Sequence, residues 1–143
     1  AAFLQPLLAD PGLLKIGHDV KRDMHFLSRF LTGETAFSPY DDVEVISYVL
    51  DSTSHGHGLT ELSSLFLGVE MTNPDKLFGV GRQKISAGDL EPEIAAAYAC
   101  EQADVVFRLH EVLRPRLANI MTGRWSPPCS KWRKTGWRSM LPA

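Results

Sequence analysis

Apolar positions recur along this chain in short stretches of changing period, and each stretch predicts an element. Residues 1–9 read as a short helix with Pro6 near its first turn, stopped by Asp10-Pro11-Gly12. Leu13-Leu14-Lys15-Ile16 is an apolar run ended by Gly17, consistent with a buried strand. Asp19 stands where it can cap a helix whose apolar face is Val20, Met24, Leu27 and Leu31, spaced four, three and four apart. A loop with Pro39 follows. The segment 41–50 is ambiguous, because its β-branched residues suit a strand while Val43, Ile46, Val49 and Leu50 trace a helical face. Asp41 or Asp42 as an N-cap tips the reading to helix.

Beyond a glycine- and histidine-rich turn at 52–58, Leu59, Leu62, Phe66 and Leu67 mark a short helix ending at Gly68. Residues 69–88, with little periodicity, read as a long loop. A long helix is expected from about Glu91 to Leu113, with Ile94, Tyr98, Val105, Leu109 and Leu113 on one side. There is no internal repeat.

Composition adds one break to this picture. Of 143 residues, 44% are hydrophobic and 22% charged, which suits one globular domain and excludes wholesale disorder. No apolar run reaches the roughly 18 residues of a membrane helix, no signal pattern opens the chain, and Cys100 and Cys129 lack metal-ligand spacing. A cytoplasmic domain without membrane contact is the expectation. The net charge of −2 hides a division at residue 123. All 17 acidic residues and ten of the 15 Lys and Arg precede it. The last 21 residues hold five basic side chains, no acid, and Trp125, Trp132 and Trp137.

Two clusters can carry chemistry. Gly17-His18-Asp19-Val20-Lys21-Arg22-Asp23 runs from a strand end into a helix, with acids at the junction. Acids there often do no more than complement the helix dipole. Tyr98 and Gln102, four apart in the long helix, share a face and can enter one cleft. Lys21 and Arg22 can reach phosphate or simply sit in solvent. His55 and His57 flank Gly56, an arrangement more often solvated than chelating.

Taken in order, these runs resemble a known family. Leu14-Lys15-Ile16-Gly17-His18-Asp19-Val20-Lys21-Arg22-Asp23 is similar to L-K-[IV]-G-Q-N-x-K-Y-D, the second motif of the 3′-5′ exonuclease (proofreading) domain of bacterial DNA polymerase I. Tyr40-Asp41-Asp42 through Ser47-Tyr48-Val49-Leu50-Asp51, then His57-Gly58-Leu59-Thr60-Glu61-Leu62 and Leu67-Gly68, resemble its middle section. Tyr98-Ala99-Cys100-Glu101-Gln102-Ala103-Asp104-Val105 resembles its third motif, Y-A-A-E-D-A-D-V. The likeness spans about residues 3–118 in unbroken order.

The resemblance implies an α/β, ribonuclease-H-like exonuclease fold, here truncated and mostly helical with one or two remaining strands. It implies phosphodiester hydrolysis by two divalent cations held between carboxylates, with Mg²⁺ or Mn²⁺ as the hard ions such oxygens suit. Asp23 matches a metal-associated aspartate, and Tyr98 the tyrosine that orients the attacking water. Gln102 falls on the third motif's aspartate, where a neutral amide binds a cation poorly. His18, Asp19 and Arg22 stand in place of a glutamine, an asparagine and an aromatic residue, and are the expected nucleic-acid contacts. The first motif, Asp-x-Glu, has no counterpart, so of four carboxylates the chain keeps Asp23.

The expected partners are a DNA 3′ end or single-stranded DNA. Uncovered apolar sheet and helix surface leads us to expect self-association as well. Residues 1–122 then form the C-terminal part of an exonuclease domain, and 123–143 a basic tail, poorly ordered. Read one nucleotide earlier, common codon choices for Arg124 to Pro142 encode a segment like the polymerase family's continuation. That points to a frame change near Gly123, the alternative being a basic arm that binds nucleic acid.

Overall fold

Only the end of the apolar run forms a strand, Lys15–Gly17, half-buried where a buried strand was expected, with Leu13 and Leu14 exposed ahead of it, and Tyr40–Asp42 forms its partner. A computed structural model describes the protein over residues 4–30, 37–81 and 85–122. In it, β1 (Lys15–Gly17) and β2 (Tyr40–Asp42) pair in parallel, with Lys15 opposite Tyr40, Ile16 opposite Asp41 and Gly17 opposite Asp42. Parallel strands need a crossover, and α2 (Val20–Leu27) lies between them in the chain. The Lys15 ammonium donates to the carbonyls of Asp10, Leu13 and Ser38 at 2.8, 2.8 and 3.0 Å, tying together the entries to both strands. Ahead of β1 stands α1 (Leu4–Ala9), ended by a turn in which the Asp10 carboxylate accepts from Gly12 N–H at 2.7 Å.

One side chain organises the strand ends. Asp42, 9% exposed, caps α3 (Val43–Leu50) by accepting from Glu44 N–H at 2.9 Å. Its carboxylate also accepts from Asp19 N–H at 3.2 Å and Val20 N–H at 2.8 Å, at the start of α2. The same carboxylate therefore satisfies the orphan amides of two helices. Asp42 meets the expectation of a capped helix over 41–50. Asp19 does occupy the N-cap position of α2, but its side chain makes no capping bond and its backbone is left-handed, at φ 59°. In this conformation Asp42 takes the amides of Asp19 and Val20, and the main-chain carbonyl of Asp19, not its side chain, accepts from Arg22 N–H at 3.0 Å.

Helix α3 turns Val43, Ile46 and Ser47 inward. Next, α4 (Leu59–Leu62) continues into a π-helical turn, Ser63–Leu67, closed by Gly68 at φ 65°, a conformation glycine adopts without strain. The expected long loop at 69–88 is in part helical. Within it α5 (Pro74–Phe78) forms because Asn73 accepts from Asp75 N–H at 2.8 Å and Pro74 occupies the first helical turn. A 3₁₀ turn, Ala87–Asp89, follows with Ser86 and Asp89 capping each other.

The last helix, α6, runs Pro92–Met121, eight residues past the expected end. Pro115 removes one backbone bond, but Leu117 beyond it packs on the core and carries the helix on. The core is Val43, Ile46, Leu62, Met71, Val105, Leu109 and Leu113. Asp41 joins β2 to α6 from outside it, accepting from His110 Nε2 at 2.7 Å and from Arg114. Of the expected α2 face, Val20 is buried and Met24 and Leu27 are half-buried; Leu31 lies outside the described residues, as does all of 123–143.

Candidate active-site cleft

The carboxyl ends of parallel strands are where α/β folds place their sites. Here β1 runs into Gly17, His18 and α2, and opposite them stands the first half of α6. A cleft of about 870 Å³ opens between the two, lined by His18, Arg22 and Asp23 on one side and Tyr98, Gln102 and Phe107 on the other. Gly17 makes the turn into it tight, because a Cβ there would meet Val20 Cγ2 at 2.6 Å. The four-residue spacing of Tyr98 and Gln102 puts both on the cleft wall, as their shared helix face requires.

Each wall has its own support. His18 Nε2 lies 2.8 Å from the main-chain carbonyl of His57. A carbonyl can only accept, so Nε2 carries the hydrogen and Nδ1 is the other ring nitrogen. Phe78 meets Tyr98 edge to face, with ring centres 5.6 Å apart and planes at 81°. Phe78 sits on α5, so the short helix missed in the loop is what steadies the tyrosine. Its signal was local and legible: Asn73-Pro74, a cap followed by a proline. The support of His18 had no signal, since a main-chain carbonyl leaves no mark in a sequence.

Charge in the cleft is mixed. Asp23 has its carboxyl raised above the ordinary range, first by burial and then by the neighbouring carboxylates Asp19 and Asp42; Arg22 and His18 pull the other way. Asp19 is not on the cleft wall and reaches it through Arg22, whose Nε is 3.3 Å from the Asp19 carboxylate. The acids beside Gln102 are occupied elsewhere. Glu101 accepts from Thr72 N–H at 3.1 Å, and Asp104 pairs with Arg108 at 3.5 Å. Neither lines the cleft.

A pair of divalent cations needs several carboxylates to balance its charge. Among the described residues, no group of three or more His, Cys, Asp or Glu side chains could hold a metal ion. Among the described residues, Asp23 alone supplies a carboxylate to the cleft wall, with the Arg22 guanidinium beside it and a neutral amide across from it. The described residues do not by themselves fit a two-cation site.

A family model described as 3′-5′ exonuclease matches residues 1–118. The chain belongs to the 3′-5′ exonuclease family. As in the sequence-based expectation, this exonuclease-family chain is mostly helical with a two-stranded parallel sheet, consistent with a ribonuclease-H-like domain. It is 34% identical over 125 residues to DNA polymerase I of Pseudomonas aeruginosa, covering 83% of this chain and 14% of that protein. It is 37% identical over 115 residues to DNA polymerase I of Rhizobium leguminosarum, covering 80% and 11%. To DNA polymerase I of Treponema pallidum it is 27% identical over 114 residues, again covering 80% and 11%. The chain thus spans a small part of the length of each. Among the described residues, no helix is long and apolar enough to cross a membrane.

Proposed function

We propose that the cleft receives the 3′ end of a DNA strand, as part of a proofreading-type exonuclease domain, and that hydrolysis by this chain is strongly impaired. The observation that carries this reading is the meeting of Asp23, Tyr98 and Gln102 in one cavity from elements far apart in the chain. Arg22 supplies donors for the terminal phosphate, His18 shapes the same wall with its N–H committed to the His57 carbonyl, and Tyr98 supplies a hydroxyl where a reacting water would stand. A divalent cation such as Mg²⁺ or Mn²⁺ would neutralise charge on the leaving oxygen. Asp23 is the carboxylate these residues offer it, while Gln102 offers only a neutral carbonyl. Weak metal binding and slow turnover follow.

The alternative is a single-stranded-DNA-binding module without nuclease activity, favoured by the Arg22 guanidinium standing where a metal site would want negative charge. A 3′-mismatched primer separates the two readings. Wild type and Gln102→Asp are each incubated with it in Mg²⁺ or Mn²⁺. We expect binding by both proteins, with degradation faster in Gln102→Asp. Wild-type degradation as fast as the variant's would refute the impairment. Binding with no cleavage by either protein would favour the alternative, and no binding at all would remove the cleft reading.

A second expectation concerns apolar surface. Leu4, Leu7, Leu13 and Leu14 are 43–46% exposed around the start of β1, and contact between copies through this patch would cover them. Sedimentation over a concentration series checks it; a monomer at every concentration rules it out.

A further inference from the structure

Around the 52–58 turn, four rings follow one another in edge-to-face contact. Tyr48 and His57 stand 5.3 Å apart at 71°. His57 and His55 stand 5.1 Å apart at 64°. His55 and Phe66 are 5.7 Å apart at 82°, and the Arg116 guanidinium sits 5.0 Å over the Phe66 ring. The series gathers residues from α3, the turn, the π-helical turn and α6. The series is anchored from within, since Phe66 packs on the core and His57 Nδ1 lies 3.0 Å from the buried Ser47 hydroxyl. Here Tyr48 is 57% exposed, Arg116 is exposed, and the other three are half-buried.

The series is continuous with the cleft. The His57 carbonyl is the one that holds His18, and Leu59, two residues on, also lines the cleft. One turn therefore braces a cleft-lining side chain with its backbone and contributes two rings, His55 and His57, to the series. Two carboxylates lie nearby, both engaged with the turn's own backbone. Asp51 accepts from Thr53 N–H at 3.2 Å and Ser54 N–H at 3.1 Å, and Glu61 accepts from Gly56 N–H at 2.8 Å. The permanent cation of the series is Arg116.

We propose that Tyr48, His57, His55 and Phe66, with Arg116 at the far end, form a stacking track for single-stranded DNA leading away from the cleft. The proposal rests on the reading of the cleft as the seat of a 3′ end, and adds the path of the nucleotides behind that end. Every base has a π face, so such a track binds without reading sequence, and Arg116 meets the backbone phosphate.

The test compares two ligands on the full chain, so that the basic tail contributes equally throughout. A dT dinucleotide fills the cleft alone, and labelled oligo-dT of about twelve nucleotides extends over the track. Tyr48→Ala and Arg116→Ala should each weaken the long ligand about five- to tenfold and leave the dinucleotide unchanged. Arg116→Ala should also lower the salt dependence of long-ligand binding by about one charge. Tyr48→Phe and Arg116→Lys should keep affinity near wild type, and circular dichroism checks that each variant folds. Should Tyr48→Ala fail to fold, Tyr48→Leu keeps the apolar bulk without the π face.

Long-ligand affinity and salt dependence unchanged in folded variants overturn the track, as does a wild type that binds neither ligand. Changed sedimentation with unchanged DNA affinity assigns the rings to contact between copies, and also overturns it. The cleft reading fails separately, if the dinucleotide is not bound and Tyr98→Ala leaves the long ligand unaffected while Tyr48→Ala still weakens it.

Discussion

The two halves of α6 carry the same four-residue spacing to different ends. In the second half, Val105, Leu109 and Leu113 are 2%, 0% and 0% exposed against α3 and the π-helical turn. In the first half, Ile94 is 43% exposed, Tyr98 is half-buried, and Gln102 stands on a cleft wall. A helical stripe states which residues share a side and is silent on whether anything covers that side. In this chain the covered half anchors the helix and the open half holds the candidate chemistry.

The sharpest way to break the contrast is to truncate one residue from each half. Leu109→Ala should cost about 2–5 kcal/mol in urea unfolding, because a fully enclosed side chain leaves a cavity. Asp42→Ala should rank next, at about 2–3 kcal/mol, since two helix starts lose their acceptor together; Asp42→Asn should recover part of that loss in the same titration. Ile94→Ala should stay within about 0.5 kcal/mol of wild type. A cost for Ile94→Ala equal to that of Leu109→Ala would mean that the open half is covered in solution.

The smallest effect concerns the cleft and pH. With its folded pKa raised, Asp23 binds its proton more tightly in the native state, so its ionisation lowers stability as pH climbs from the ordinary value of 3.8 through the raised one. Asp23→Asn should therefore melt slightly higher than wild type at neutral pH, with the gap closing below the ordinary carboxylate value. Thermal melts at the two ends of that range decide it, and a gap that persists in acid contradicts the sign.

What was legible in the sequence was local or periodic. The strand before Gly17, the helix over 43–50 and the Tyr98–Gln102 face each follow from residues a few positions apart. The family's motif order brought Asp23 into the same site as Tyr98, which no periodicity links. Three things were not legible. The reach of Asp42 to α2 spans 22 residues of sequence, and nothing in either segment names the other. The hold on His18 comes from a backbone atom. The continuation of α6 through Pro115 depends on Leu117 finding the core, a tertiary effect that overrides the local signal.

Asp42 also limits how this domain can be taken apart. Because one carboxylate closes the first turns of both α2 and α3, a transplant of residues 15–30 into a homologous scaffold would arrive without its acceptor unless the host strand brought an aspartate in the same register. The smallest portable piece is the stretch from β1 through the opening turn of α3. Chimeras joined anywhere inside it should express poorly, while junctions placed after Leu50 should be tolerated.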